Sequence, residues 1–243
     1  MTMVQAAEDR YTREREAHNK IFAEHTRASA ERFYRIIHES RALYEGLIRS
    51  RSKGGSALEY GCGMGSHAHF MATNGAQRVV GIDISDVAIE KARVASRKEG
   101  IENVEYRRMN AEFLEFDDHS FDLICGTAIL HHLDLARAYS ELARVLKPGG
   151  LLLFAESTKA YIDSWVIRWF FRHPMHVQKT ADEYVAMLRA RGFVFTNAQV
   201  SLPYLWWSRA KDFGLLERWG IKAAPPVGKR EETLVNVAAR KPG

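Results

Sequence analysis

Apolar residues return at two different spacings along this chain, and the spacing decides what each stretch can form. From Tyr11 to about Arg49 the sequence is rich in Glu, Arg and Ala, lacks proline and has only Gly46 to interrupt it. Ile21, Phe22, Phe33, Ile36, Ile37, Leu43, Leu47 and Ile48 recur there at helical intervals, which predicts two amphipathic helices because residues three and four apart share one face. Strands are predicted to follow at residues 57–60, 79–84, 104–108, the FDLIC run after Ser120, 151–155, 193–200 and 233–239, with FDLIC read as a buried strand. Between them lie helical patterns at 66–73, 87–98, 135–146 and 181–191. Ser85 is placed to cap the second of these, Gly100 and Gly192 follow the second and last, and Pro148 with Gly149 closes the third.

Strands alternating with helices imply an α/β fold, a doubly wound and mainly parallel sheet. The chain divides into an N-terminal helical cap, residues 1–50, and an α/β domain, residues 51–243, with insertions at about 157–180 and 201–230. In the first insertion Ile162, Trp165, Val166, Trp169 and Phe170 fall on one helical face, with Asp163, Arg168 and Arg172 off it. The second holds Leu202 to Gly220, with three of the five tryptophans. Packing over the sheet edge is one reading of these aromatics. An apolar lid over a greasy or aromatic substrate, or a weak membrane-facing surface, is the other.

A chain of 243 residues suffices for one well-buried α/β domain, and no polar low-complexity linker divides it. Cys62 and Cys125 form neither a disulfide framework nor a metal spacing, so no metal is expected. With no apolar run of membrane-spanning length and a charged N-terminus, a soluble cytoplasmic protein is expected. The net charge of +5 is uneven: residues 157–243 carry 14 Lys and Arg against 7 Asp and Glu, whereas residues 51–156 carry 12 against 15. The basic excess therefore lies outside the central α/β span, as a solvated surface or as a face for an anionic substrate or headgroups. The sequence names no oligomeric state.

The chemistry concentrates at residues 57–65, ALEYGCGMG, followed at 81–83 by GID. Glycine tolerates positive φ and leaves room for close approach, so Gly61, Gly63 and Gly65 after a strand suggest a site built from main chain. Asp83, ending the next strand about twenty residues on, stands where nucleotide-binding α/β folds hold ribose hydroxyls. Dinucleotide binders show G-x-G-x-x-G, with the pyrophosphate on the helix N-terminus. Here the third position after Gly63 is Ser66, which disfavours a NAD-dependent oxidoreductase.

The signature Glu59-x-Gly61-x-Gly63-x-Gly65 resembles the first motif of class I, Rossmann-like S-adenosylmethionine-dependent methyltransferases of the small-molecule type. NAE at 110–112 and ELARVLKPGGLLLFAE at 141–156 follow in the family's order, so the resemblance runs from about Ser56 to Glu156. It implies a seven-stranded sheet whose last strand is antiparallel, with S-adenosylmethionine as cofactor and S-adenosylhomocysteine as product. It places Glu59, Gly61, Gly63 and Gly65 around the methionine part, with Glu59 ordering the loop or meeting the ammonium group. Asp83 would take the ribose diol, and Ile84 would cover one face of adenine. Asn110 departs from the commoner Asp, but its amide oxygen still accepts a hydrogen bond, and Ala111 would add a backbone N–H. Gly126 and Thr127 would line the methionine end.

For proton removal, His131 and His132 follow the fourth strand on the cofactor side, and histidine titrates near neutrality. Glu156, His173 and His176 are further candidates. The acceptor expected is a small apolar or aromatic molecule, such as a secondary metabolite or a lipid-like quinone precursor. GTAI stands where methyltransferases of exocyclic base amines carry N/D-P-P-Y/F, which disfavours nucleic acid, although the basic C-terminal third keeps RNA as an alternative. A non-catalytic nucleoside-binding or interaction protein is the remaining class, since fold alone never secures activity.

Overall fold

The inner strands of the central sheet are mainly apolar because both of their faces are covered, whereas the edge strand at residues 104–108 exposes Glu105 and Arg108. In the computed structural model, which describes residues 3–23, 38–163, 179–203, 219–223 and 225–243, the chain runs as follows. Helices α1 (Met3–Ala23) and α2 (His38–Ser52) precede β1 (Ser56–Tyr60), α3 (Ser66–Thr73), β2 (Arg78–Asp83), α4 (Asp86–Lys98), β3 (Val104–Arg108) and β4 (Phe121–Thr127). A 3₁₀ turn at Leu130–His132 leads to α5 (Leu135–Val145) and β5 (Leu146–Ser157). Then come α6 (Lys159–Ile162), α7 (Ala181–Ala190), β6 (Val200–Ser201) and β7 (Leu234–Arg240).

The seven strands lie in the order β3-β2-β1-β4-β5-β7-β6, parallel except that β7 runs antiparallel to both neighbours. Successive side chains in a strand point to opposite faces, and the two cores show it. Leu58, Val80, Ile82, Ile124 and Leu152 meet Tyr139 and Leu142 of α5 and Tyr184 and Leu188 of α7. Ala57, Val79, Leu123, Cys125 and Leu153 meet Tyr44 and Ile48 of α2, Met71 of α3 and Ile89 of α4. A buried Leu or Ile is worth roughly 1.5–3 kcal/mol by transfer, so this two-sided burial is why the inner strands carry no polar face, while β3 at the sheet edge does.

Caps set the helix starts. Ser85 accepts from the Ala88 N–H at 3.1 Å, as its position predicted, and Asp134 accepts from Ala136 and Arg137 to open α5. Two strands differ from the pattern-based expectation. The fifth is longer, beginning at Leu146 and passing through Gly149 (φ +73°), because Phe121 still pairs with Leu146 across a register shift. The sixth, expected over 193–200, shrinks to a bridge at Val194 and the pair Val200–Ser201. There the Thr196 and Gln199 side chains cap a 3₁₀ turn at Asn197–Gln199, and local side-chain bonds of this kind compete with ladder pairing.

From β1 the order runs one way through β2 to β3, and from β4 the other way. The crevice at the carboxyl ends of β1 and β4 is thus a topological switch point, the place where open α/β sheets bind ligands. Phe33, Ile36, Ile37, the face from Trp165 to Phe170, His173, His176 and most of the stretch from Leu202 to Gly220 lie outside the described residues, as does the side chain of Leu43. Among the described residues no helix is long and apolar enough to cross a membrane.

Candidate active site

The loop leaving β1 is glycine for steric reasons. Gly61, Gly63 and Gly65 have φ of +71°, +51° and +81°, the left-handed region that costs other residues free energy. A Cβ on Gly61 would sit 2.3 Å from Ile129 Cδ1, and one on Gly65 2.5 Å from the Tyr106 ring. Two carboxylates hold this loop. Asp83, at the end of β2, accepts from the Gly63 N–H at 2.8 Å and from the Ser85 N–H at 2.9 Å. Glu59, buried in β1, accepts from the Ala68 N–H at 2.7 Å and the His67 N–H at 3.2 Å. Gly65 offers α3 no side-chain cap, so Glu59 supplies from another strand the negative charge a helix N-terminus favours.

Beside Asp83, Ile84 is half-buried. Asn110 lies past β3, its amide oxygen accepting from the Glu112 N–H at 2.9 Å, while the Ala111 carbonyl accepts from the Tyr60 hydroxyl. At the end of β4, Gly126 is hemmed in: a Cβ there would meet the Tyr60 carbonyl at 2.9 Å. The Tyr44 hydroxyl accepts from the Gly126 N–H at 3.0 Å and lies within bonding distance of the Gly126 and Leu153 carbonyls. Burial pushes this phenol's pKa well up, so it stays neutral and ties α2 to β4 and β5. Half-buried Thr127 is followed by Ala128 at φ +53°, a conformation uncommon outside glycine, held by the bond from its N–H to the Ala155 carbonyl.

Past this kink the two histidines have different neighbours. His131 is buried, its Nδ1 2.5 Å from Glu156 Oε1. Glu156 also accepts from the Leu130 N–H at 2.6 Å and the Ser157 N–H at 2.8 Å, so one carboxyl anchors the whole turn to the end of β5. His132 faces α1, with Nδ1 3.5 Å from Glu14 Oε2 and its ring 4.9 Å from that of His18.

Burial pushes the Glu156 carboxyl up to about 7, against the pull of the N–H groups of Ser157 and Leu130. Between an unfolded value near 4.5 and this folded value, the folded chain holds a proton that the unfolded chain releases. The stability from this group is therefore complete below about pH 4.5 and lost as pH rises through 7, by on the order of 3 kcal/mol. Urea denaturation of wild type and Glu156→Gln across pH 4.5–7.5 should show the wild type losing that much relative to the variant. A difference constant with pH would remove Glu156 from this titration.

Helix α1 lies against the site through contacts that no motif announced. Arg10 bonds both oxygens of Glu112, at 2.5 and 2.6 Å, and Glu112 in turn accepts from the Asp134 N–H. The Asn19 amide oxygen accepts from the Ser85 hydroxyl at 2.6 Å, and Lys91 donates to the Phe22 carbonyl at 2.6 Å. Glu112 was visible only as the last letter of NAE. Arg10, Asn19, Tyr44 and Ile129 carried no sequence signal, because each acts on a residue far along the chain.

Residues 58–154 match the family described as a methyltransferase domain. The chain is 30% identical over 204 residues to 24-methylenesterol C-methyltransferase 2 of Oryza sativa subsp. japonica, covering 75% of this chain and 53% of that protein. It is 33% identical over 130 residues to a ubiquinone biosynthesis O-methyltransferase of Neisseria meningitidis serogroup C, covering 52% of this chain and 55% of the relative. Among solved structures, the YcgJ protein of Bacillus subtilis aligns with a TM-score of 0.61 at 23% identity, over 83% of this chain and 99% of that one. The chain thus spans little more than half the length of these two curated relatives, and the structural likeness concerns the fold.

Proposed function

We propose, because residues 58–154 form a class I S-adenosylmethionine-dependent methyltransferase domain, that this chain transfers a methyl group to a small apolar or aromatic acceptor. The observation that carries the reading is the glycine loop at the switch point, left-handed at three positions and stitched by Asp83 to the end of the neighbouring strand. A ligand set for a nucleoside with a charged amino acid tail fits this donor chemistry. Each carboxylate oxygen of Asp83 makes one backbone bond and keeps lone-pair capacity for a ribose hydroxyl. Ile84 supplies an apolar surface for adenine, Asn110 and Ala111 supply polar groups for its edge, and the loop from Gly61 to Gly65 with Gly126 and Thr127 would face the methionine portion. Glu59, committed to the start of α3, orders that loop.

When bound, S-adenosylmethionine supplies a methyl group on a sulfonium whose departing thioether is neutral. The chain therefore has no developing anion to stabilise, and its main task is to hold the acceptor in line, an effect worth roughly 7–11 kcal/mol. Where the acceptor must lose a proton, His131 is the assigned base. Above about pH 7, where Glu156 is ionised, its carboxylate at Nδ1 sets the tautomer and stabilises the imidazolium, which makes Nε2 the nitrogen that exchanges a proton with the acceptor. His132 belongs to the contact with α1.

The relatives named for a sterol and for ubiquinone biosynthesis support a lipid-like acceptor, as do the aromatic insertions of the sequence. Calorimetry should show S-adenosylhomocysteine binding while NADH does not, and labelled S-adenosylmethionine should pass its label into an organic-soluble metabolite fraction. Binding of NADH in place of the thioether would overturn the cofactor reading. Label recovered in RNA alone would replace the small-molecule acceptor with a nucleic acid.

A further inference from the structure

Two imidazoles and a carboxylate meet where α1 crosses the loop after β4. Glu14 and His18 are four residues apart on α1 and so share one face, and His132 approaches that face from the 3₁₀ turn. Glu14 Oε2 is 3.7 Å from His18 Nε2 and 3.5 Å from His132 Nδ1, and all three atoms lie within 4.8 Å of one another. These gaps exceed the 2.7–3.2 Å of a direct N–H···O bond. They come near the spacing of ligand atoms around one shared cation, about 3.3 Å for tetrahedral bonds of 2.0–2.1 Å. The side chains are 15–23% exposed, withdrawn from bulk water yet reachable by a small ion.

We infer that Glu14, His18 and His132 form a binding site for one divalent transition-metal ion of the Zn²⁺ class, which clamps α1 onto the loop carrying His131. The donor set excludes the alternatives: Mg²⁺ and Ca²⁺ take all-oxygen shells, whereas two imidazole nitrogens with one carboxylate suit Zn²⁺ and its neighbours. Three protein donors leave a further coordination position for water or another ligand. The sequence holds no metal spacing of the usual local kind because the third ligand comes from a distant loop. The site therefore departs from the sequence-based expectation that the chain holds no metal set. The site does not depend on the methyl-transfer reading: none of its three ligands is assigned to the cofactor, and His132, a candidate base by sequence, faces α1 while His131 is the assigned base.

The test uses the untagged full chain, freed of metal by a chelator, titrated with Zn²⁺ by calorimetry and with Co²⁺ by visible absorption. One equivalent of each should bind, the Co²⁺ form should show tetrahedral d–d bands, and Zn²⁺ should raise Tm. Glu14→Gln and His18→Gln lie on the outer helix, and circular dichroism will show that each still folds; each should weaken Zn²⁺ binding by at least about tenfold, with the double variant losing it. Failure of the wild-type chain to bind either ion, or equal affinity in wild type and double variant, would overturn the site.

Discussion

Asp83→Ala should raise the Kd for S-adenosylhomocysteine by roughly 10- to 150-fold, the equivalent of about 1.5–3 kcal/mol for a lost charge-assisted hydrogen bond. The structure adds a second cost. Both oxygens of Asp83 already receive backbone N–H groups, from Gly63 and from Ser85, so alanine orphans two donors and lets the loop from Gly61 to Gly65 move. Stability should fall by about 1–3 kcal/mol at the same time. Asp83→Asn keeps one oxygen and should lie between the two. Calorimetry and urea denaturation measure both quantities, and unchanged affinity in the alanine variant would sink the ribose assignment.

His131→Ala should lower kcat by about 10²–10⁴-fold while leaving S-adenosylhomocysteine affinity within a few-fold of wild type. His131 pairs with Glu156 at the end of β5 and is not among the residues assigned to the cofactor. Glu156→Gln should lower kcat less, because the amide still accepts from the turn but no longer stabilises the imidazolium. Its pH–rate profile should shift relative to wild type, which a merely structural residue would not produce. Turnover of His131→Ala equal to wild type, with an acceptor in hand, would take His131 out of proton transfer.

Much of the fold was legible because its signals are local. The continuous apolar runs at 57–60, 79–84 and 151–155 each mark a strand buried on both faces, and the alternation of Ala57, Leu58 and their neighbours between two cores explains why no polar face interrupts them. Ser85 was readable as a cap because a cap depends on the residue and the three that follow it. The apolar pattern at 193–200 does not give a full strand because the Thr196 and Gln199 side chains cap a local turn, an alternative that composition does not rank against pairing.

The site divides along the same line. Gly61, Gly63 and Gly65 declare themselves because a left-handed backbone excludes most side chains wherever the rest of the chain lies. Asp83 declares itself through its distance from them. The role of Glu59 as the cap of α3 depends on how a strand end and a helix start meet in space. The pairing of His131 with Glu156 and the facing of His132 toward Glu14 and His18 likewise required the strand order that sets β4 beside β5 and the docking of α1 against α4, Glu112 and the turn after β4. Backbone conformation and burial period are properties of neighbouring residues, so the amino-acid order alone determined the α/β architecture, the glycine loop and the class of cofactor it suggests. Which histidine is buried against a carboxylate, and which meets a helix from the chain's beginning, are properties of long-range packing. Only the tertiary structure decided them, because hydrogen bonds and shared ligands form between groups close in space, however far apart they lie along the chain.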